Sequence, residues 1–404
     1  MNSMRLHYQD ELFDAQLIRT LSHCCYGGAD LFECLQTARN IPDRNVARWF
    51  TAWMELAERL RADAEQCRQR GHTVSARNGF LRASNYYRNA YIFKFGEPLD
   101  GGLRQAYDLH RQTFRDAMDL ADHAVEEVGI PYEKTTLRGY FLRAGASAPG
   151  PALILNGGYD STAEECYFWN AIPALSRGYH CLIFDGPGQG SALIDQGLTF
   201  RPDWEMVIRP VLDWLLNRPE VDGRRIGIIG ASFGGYLALR AASGEPRLAA
   251  CIADPGQYSL LEIFQSRIPA FLGKNLPELR GVSGFLLKKI LQHRLNQPTG
   301  GWALRRGLWA HGANNIADYL RLAAEYSLAG RTEQIQCPTL ICFAEDDDLA
   351  VSAQKTYDLL HCEKQFLSFR RSEGAGDHCE AGGRLLFHQR VFDWLDSRFQ
   401  TGQN

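Results

Sequence analysis

Nowhere in the 404-residue chain is there an apolar run long enough to cross a bilayer, which takes about 20 consecutive residues. The start, Met1-Asn2-Ser3-Met4-Arg5-Leu6-His7, meets Asp10 and Glu11 with no apolar segment behind it, so no secretory signal is expected. Charge of one sign never accumulates either. The net charge is −3 and no long basic or acidic run occurs, so neither a nucleic-acid groove nor a basic membrane-binding face is expected. CxxC spacing is also missing. Of the eleven cysteines only Cys24 and Cys25 are close in sequence, and Cys181, Cys251 and Cys342 sit in apolar segments, where a thiol packs as a small hydrophobe. They read as reduced core residues of a cytoplasmic protein, not as disulfides or zinc ligands. No metal site is expected, and no internal repeat or low-complexity tract is evident.

The chain is too long for one ordinary domain, which points to a catalytic domain plus a second unit. Residues 1–130 read as a helical domain: 48–69 and 73–95 carry apolar residues at three- and four-residue spacing. Thr73-Val74-Ser75-Ala76 offers a cap before the helix bearing Tyr86, Tyr87, Tyr91 and Phe93. That aromatic group reads as packing against the next domain, with pocket lining as the alternative.

From near Tyr132 short β runs alternate with helical patterns, and 145–151 reads as a turn between two strands. Apolar runs of strand length lie at 152–155, 181–184, 226–229, 248–253, 339–343 and 366–369. Apolar strands alternating with helices imply an α/β fold, a mostly parallel sheet with helices on both faces. Helix-like segments around 260–271, 284–296 and 316–328 interrupt the pattern. They predict a helical cap inserted at about 256–335 into a catalytic domain spanning 131–404.

Gly230-Ala231-Ser232-Phe233-Gly234 follows one strand and precedes a good helix, Leu237-Ala238-Leu239-Arg240-Ala241-Ala242. A serine nucleophile needs such a sharp strand-to-helix turn, with small residues two before and two after it to relieve crowding. Its hydroxyl is a poor nucleophile until a base takes the proton. In this fold the acid and then the histidine follow in chain order. The late strand 339–343 leads into Ala344-Glu345-Asp346-Asp347-Asp348, where Asp347 fits best as the acid, ahead of Asp348 and then Asp346. His378, in Glu373-Gly374-Ala375-Gly376-Asp377-His378-Cys379 before the final helix, is placed as the base. The oxyanion hole needs two N–H donors. Phe233 supplies one, and Gly158 or Tyr159, in Asn156-Gly157-Gly158-Tyr159-Asp160, supplies the other. Phe184-Asp185-Gly186-Pro187-Gly188-Gln189-Gly190 makes a weak phosphate cradle, since no Lys-Ser/Thr follows, and reads as a tight turn beside the site.

These motifs, together with Ser161-Thr162 and Cys337-Pro338-Thr339-Leu340, resemble one subgroup of α/β-hydrolases. It is the subgroup of the bacterial 2,6-dihydroxypseudooxynicotine hydrolase and a fungal pigment hydrolase that shortens a heptaketide naphthopyrone. The resemblance runs from about Leu81 to the C-terminus. It implies an α/β-hydrolase fold, hydrolysis of a carbon–carbon bond next to a ketone on a small aromatic or polyketide substrate, and no cofactor. It also implies an N-terminal helical domain closing over the site, and a homodimer. In the nicotine-pathway enzyme a glutamate of the glycine loop assists the chemistry. The matching residue is Asp160, one methylene shorter, with three roles open to it: binding a substrate hydroxyl, acting on a proton, or capping the next helix. An esterase, thioesterase or acyltransferase using the same triad is the alternative activity. A non-catalytic binding protein would have lost a triad member, and none is lost.

Overall fold

Four of the eight strands, Gly150–Asn156, His180–Phe184, Ala250–Asp254 and Thr339–Ala344, are mostly apolar and buried along most of their length, and this decides the architecture. β1 (Ala124–Tyr132), β2 (Thr135–Arg143), β3 (Gly150–Asn156), β4 (His180–Phe184), β5 (Val221–Ala231), β6 (Ala250–Asp254), β7 (Thr339–Ala344) and β8 (Lys364–Phe369) form one sheet, ordered β1-β2-β4-β3-β5-β6-β7-β8. The computed structural model describes residues 5–96, 98–145, 149–269, 276 and 281–400. Within the expected turn at 145–151, residues 146–148 lie outside that set, as do 270 and 271 of the expected helical segment 260–271.

β4 and β6 are buried at every position, as a strand covered on both faces must be. From β4 to β8 every neighbouring pair is parallel; β2 joins β4 antiparallel. After β3 the chain goes outward to β4, then returns past β3 to lay down β5 on its other side. The loops leaving the C-terminal ends of β3 and β5 therefore diverge, which opens a crevice of the kind where α/β sheets bind ligands. The expected serine follows β5 and the expected glycine loop follows β3. Asp347 follows β7 and His378 follows β8, so one rim of the sheet carries every residue expected in the site.

β1 begins at Ala124, ahead of the boundary expected at 130. Most of its residues are exposed, and an edge strand with so little apolar signal is hard to see in sequence. Between β6 and β7 the described residues form helices Leu260–Ser266, Gly281–Leu295, Trp302–Ala310 and Ile316–Glu325, the third of which the sequence pattern missed. No helix among the described residues is long and apolar enough to cross a membrane.

Two units separate, Met1–Val125 with Leu295–Arg305, and Glu126–Arg294 with Arg306–Asn404. The first is built on helices Glu11–Ser22, Leu31–Arg39, Val46–Gln69, Thr73–Ala90 and Gly101–Met118. Asp10, Asp30, Asn45 and Asp100 cap four of them by accepting first-turn N–H groups. Its core is aromatic. The Trp49 ring lies 4.6 Å from Phe13, 5.3 Å from Phe93 and 5.7 Å from Trp53, and its indole N–H donates to the Asn89 carbonyl at 2.9 Å. Tyr86, Tyr87 and Phe93 belong to this same core, which corrects the expectation that they pack against the next domain. The segment from the cap region joins the unit through two bonds: Thr299 Oγ1 donates to Asp10 at 2.8 Å, and the Trp302 indole donates to the Ile92 carbonyl at 2.7 Å. Trp49→Ala should destabilise this unit by ~3–5 kcal/mol. A lowered denaturant midpoint would show it; an unchanged one would mean that the core closes without the indole.

Candidate active site

Ser232 stands between β5 and helix Phe233–Gly244 at φ 60°, ψ −128°, a conformation costly for any residue with a Cβ. Its surroundings impose it. The Ser232 N–H donates to the Asp254 carbonyl at 2.6 Å and lies 3.1 Å from Cys379 Sγ. A Cβ on Gly230 would lie 1.9 Å from the Gly234 oxygen, one on Gly234 2.6 Å from the Asn156 oxygen, and one on Gly235 2.0 Å from the Pro255 oxygen. The glycines of the turn are thus a packing requirement, with main chain pressed on main chain from three sides.

His378 reaches the serine from the loop after β8. Its Nε2 is 2.8 Å from Ser232 Oγ and its Nδ1 is 2.8 Å from Asp347 Oδ2, an unbroken chain from hydroxyl to carboxylate. The Asp347 side chain is 2% exposed and the His378 side chain 40%, so the acid is enclosed while the imidazole faces the open side. Asp347 Oδ1 also accepts the Leu349 N–H at 2.8 Å, which fixes the carboxylate plane. The other two candidates are elsewhere. Asp346 pairs with Arg371, whose guanidinium holds that carboxyl below its ordinary range, and Asp348 is exposed.

The histidine loop is itself strained: Cys379 and Glu380 take φ values of 51° and 48° in succession. Arg384, buried at the start of the last helix, secures it. One of its nitrogens donates to the Cys379 carbonyl at 2.8 Å, and another to the Trp169 carbonyl and Asn170 Oδ1, each at 3.0 Å. The same guanidinium lies 3.6 Å from Asp254 and 3.8 Å from Glu380. Burial, then the neighbouring carboxyl of Asp254, pushes Glu380 well above the usual carboxylate range. Burial likewise pushes the Cys379 thiol far up, so behind the serine it is a neutral packing group. Sequence reading missed both Arg384 and Cys379, although each lies within six residues of His378.

Across the crevice, Gly158 packs directly on the serine. A Cβ there would meet Ser232 Cβ at 2.7 Å and the Ala231 oxygen at 2.8 Å. The Gly158 N–H is already engaged, donating to Ser161 Oγ at 2.9 Å. The N–H groups of Tyr159 and Phe233 have no acceptor among the described residues. Asp160 sits partly exposed in the next turn. The N-cap of the following helix, Ala163–Cys166, is Thr162, whose Oγ1 accepts the Glu165 N–H at 3.2 Å.

A sequence profile of the alpha/beta hydrolase family matches residues 152–382, more than half of the chain. Hydrolase acrC of Aspergillus aculeatus is 32% identical, covering 97% of this chain and 98% of its own length. The 20-hydroxy-prefusarin hydrolase FUS2 of Gibberella moniliformis is 34% identical and covers 97% of both. The chain belongs to the alpha/beta hydrolase family. Among solved structures, that of 2,6-dihydroxy-pseudo-oxynicotine hydrolase superposes with a TM-score of 0.75 at 23% identity, covering 95% of this chain and 96% of the other, so the two share a fold. The subgroup resemblance read from the motifs therefore stands.

In this alpha/beta hydrolase the cap helices carry a cluster of rings beside the glycine loop. The Tyr159 hydroxyl bonds to that of Tyr319, and the Tyr159 ring stacks on Phe200 at 5.8 Å and meets Phe233 edge-on at 5.6 Å. His311 lies among them, its Nδ1 3.1 Å from the Tyr326 hydroxyl and its ring 5.6 Å from Tyr159. Burial, with Arg306 nearby, pulls the His311 pKa down to about 3. The unfolded chain would protonate it near 6.5, so this group destabilises the fold progressively as the pH drops from about 6.5 toward 3, and has no effect above that window. His311→Gln should therefore gain in Tm relative to the wild type as the pH is lowered from 7 to 4; a constant difference would mean that the imidazole titrates normally. Gly158→Ala should cost about 1–3 kcal/mol by overpacking the loop against Ser232. An unchanged denaturant midpoint would show that the loop is not pressed on the turn.

Proposed function

We propose that this hydrolase is a serine enzyme that cleaves a carbon–carbon bond next to a ketone in an aromatic or polyketide substrate. The observation that carries the catalytic part is the chain Ser232 Oγ–His378 Nε2–Nδ1–Asp347 Oδ2, with both gaps at 2.8 Å. Ser232 attacks the ketone carbonyl while His378 takes its proton, and Asp347 holds the imidazole tautomer and steadies the imidazolium. The tetrahedral oxyanion accepts the N–H groups of Phe233 and Tyr159. Collapse breaks the bond to the α-carbon. The departing carbanion, stabilised as an enolate or phenolate by its own substituents, is protonated by His378. Water activated by the neutral imidazole then hydrolyses the acyl-serine, releasing a carboxylic acid. Asp160 contacts the leaving fragment, as a hydroxyl acceptor or proton donor.

The carbon–carbon reading is supported by the motif resemblance, and of two similar proteins one is named as a hydrolase of 20-hydroxy-prefusarin and the other, alike in fold, of 2,6-dihydroxy-pseudo-oxynicotine. A cytoplasmic location fits the eleven cysteines, all free thiols.

Ser232→Ala should lower kcat by ~10⁴–10⁶-fold while still binding substrate, and Asp347→Asn by ~10⁴-fold. Asp346→Asn and Asp348→Asn should stay within a few-fold of wild type, and equal losses at all three would dissolve the assignment. Assays on acylphloroglucinol-type ketones beside p-nitrophenyl esters test the bond type. Ketone cleavage supports the proposal; efficient turnover of esters alone makes the enzyme an esterase.

A further inference from the structure

The turn Gly186-Pro187-Gly188-Gln189 was read in the sequence only as a neighbour of the site. In the structure it closes on itself, with the Gln189 N–H donating to the Gly186 carbonyl at 2.9 Å. It is wedged between two rings: a Cβ on Gly186 would lie 2.6 Å from the Trp204 indole, and one on Gly188, at φ 85°, 2.3 Å from the Phe200 ring. The backbone of Gln189 therefore has no freedom, and its side chain is buried. Gln189 Oε1 accepts the Gly186 N–H at 3.1 Å, which assigns the amide orientation and turns its NH₂ outward. That NH₂ donates to two successive carbonyls of the glycine loop, Gly157 at 2.6 Å and Gly158 at 2.9 Å. The third carbonyl in the row, Tyr159, accepts from Arg306 Nε at 3.1 Å, and a second Arg306 nitrogen reaches the Gly188 carbonyl at 3.3 Å.

A trans peptide carries its carbonyl and its N–H on opposite sides of one rigid plane. Gly158 C=O and Tyr159 N–H belong to the same plane. Whatever grips the carbonyl thus aims the N–H, and Gly158 itself lies against Ser232. We propose that Gln189 is a positioning residue of the oxyanion hole, which holds the Gly158 carbonyl from behind and so directs the Tyr159 N–H to the oxygen that becomes negative. It never touches the substrate. Its effect belongs to the transition state, because the peptide plane is set before any charge develops and need not reorganise when it does.

The inference rests on the acyl-serine reading above, and the two are separable with a fluorophosphonate, whose phosphoryl oxygen must enter the oxyanion hole as Ser232 displaces fluoride. Saturation kinetics give a maximal labelling rate and a half-saturating concentration. Gln189→Met keeps the bulk and loses the amide; Gln189→Glu keeps the Gly186 contact and sets oxygens against the two carbonyls. Both variants should label about 10²-fold more slowly at saturation, with the half-saturating concentration unchanged within about 2-fold. Each should still melt cooperatively, at a somewhat lower temperature because the two buried carbonyls lose their donor. For Gln189→Glu the deficit relative to wild type should shrink as the pH falls, since a protonated carboxyl regains one donor. Wild-type labelling rates in both variants would overturn the inference and leave the serine reading intact. Loss of half-saturation affinity alone, or loss of cooperative melting, would also overturn it, by making Gln189 a binding or purely structural residue. Failure of the wild-type protein to label at Ser232 would remove the serine reading itself.

Discussion

The site exists because main chain is forced against main chain around one serine. Ser232 holds a left-handed φ that costs on the order of 1–3 kcal/mol for a residue with a side chain. The conformation persists because Gly230, Gly234 and Gly235 let the neighbouring backbone close to distances that no Cβ would permit, and because its N–H is tied to the Asp254 carbonyl. Once the turn is set, the hydroxyl projects from the rim of the sheet and the helix that begins at Phe233 presents its first N–H groups beside it. Every other feature of the site is a way of bringing something to that fixed hydroxyl.

Two supports do so from opposite sides. On one, β7 and β8 lie side by side in parallel register, so the loops that leave them place Asp347 and His378 within one bond of each other. The strained histidine loop is held by Arg384, whose charge is enclosed with two carboxyls, one of which burial pushes well above the usual carboxylate range. On the other side, the glycine loop after β3 is held by its carbonyls, with Gln189 and Arg306 as donors, and its Tyr159 is packed by Phe200 and by His311 and Tyr319 of the cap. His378 is thus fixed through a charged cluster and the glycine loop through hydrogen bonds to its carbonyls, as the proposed reaction needs of an imidazole that changes charge and a peptide plane that stays put.

Much of this was legible in the sequence, and the exceptions have physical reasons. β3, β4, β6, β7 and the second half of β5 announce themselves because a parallel sheet covered on both faces needs unbroken apolar runs. β1, at the edge and mostly exposed, has no such run and escaped notice. Ser232 and His378 were readable because their loops are glycine-rich where strands end. Asp347 could be preferred but not separated from Asp346 and Asp348, since only the pairing of Asp346 with Arg371 removes the second and only exposure removes the third. Ser161, whose hydroxyl accepts the Gly158 N–H, favours Tyr159 over Gly158 as the proposed second donor. Segment 295–305 looked like part of the cap, and its membership in the helical unit depends on Asp10 and the Ile92 carbonyl, residues some 200 or more positions away. No local pattern encodes such a partner.

The central claim is that Ser232 carries the acyl group during turnover. Rapid quenching of the enzyme with an acylphloroglucinol-type ketone, followed by digestion and mass spectrometry, tests it directly. A mass increase equal to the acyl fragment, confined to the peptide holding Ser232 and absent from a Ser232→Ala protein that still binds the ketone, is the predicted result. Product formation with no adduct on that peptide at any quench time, and unchanged in Ser232→Ala, would contradict the account.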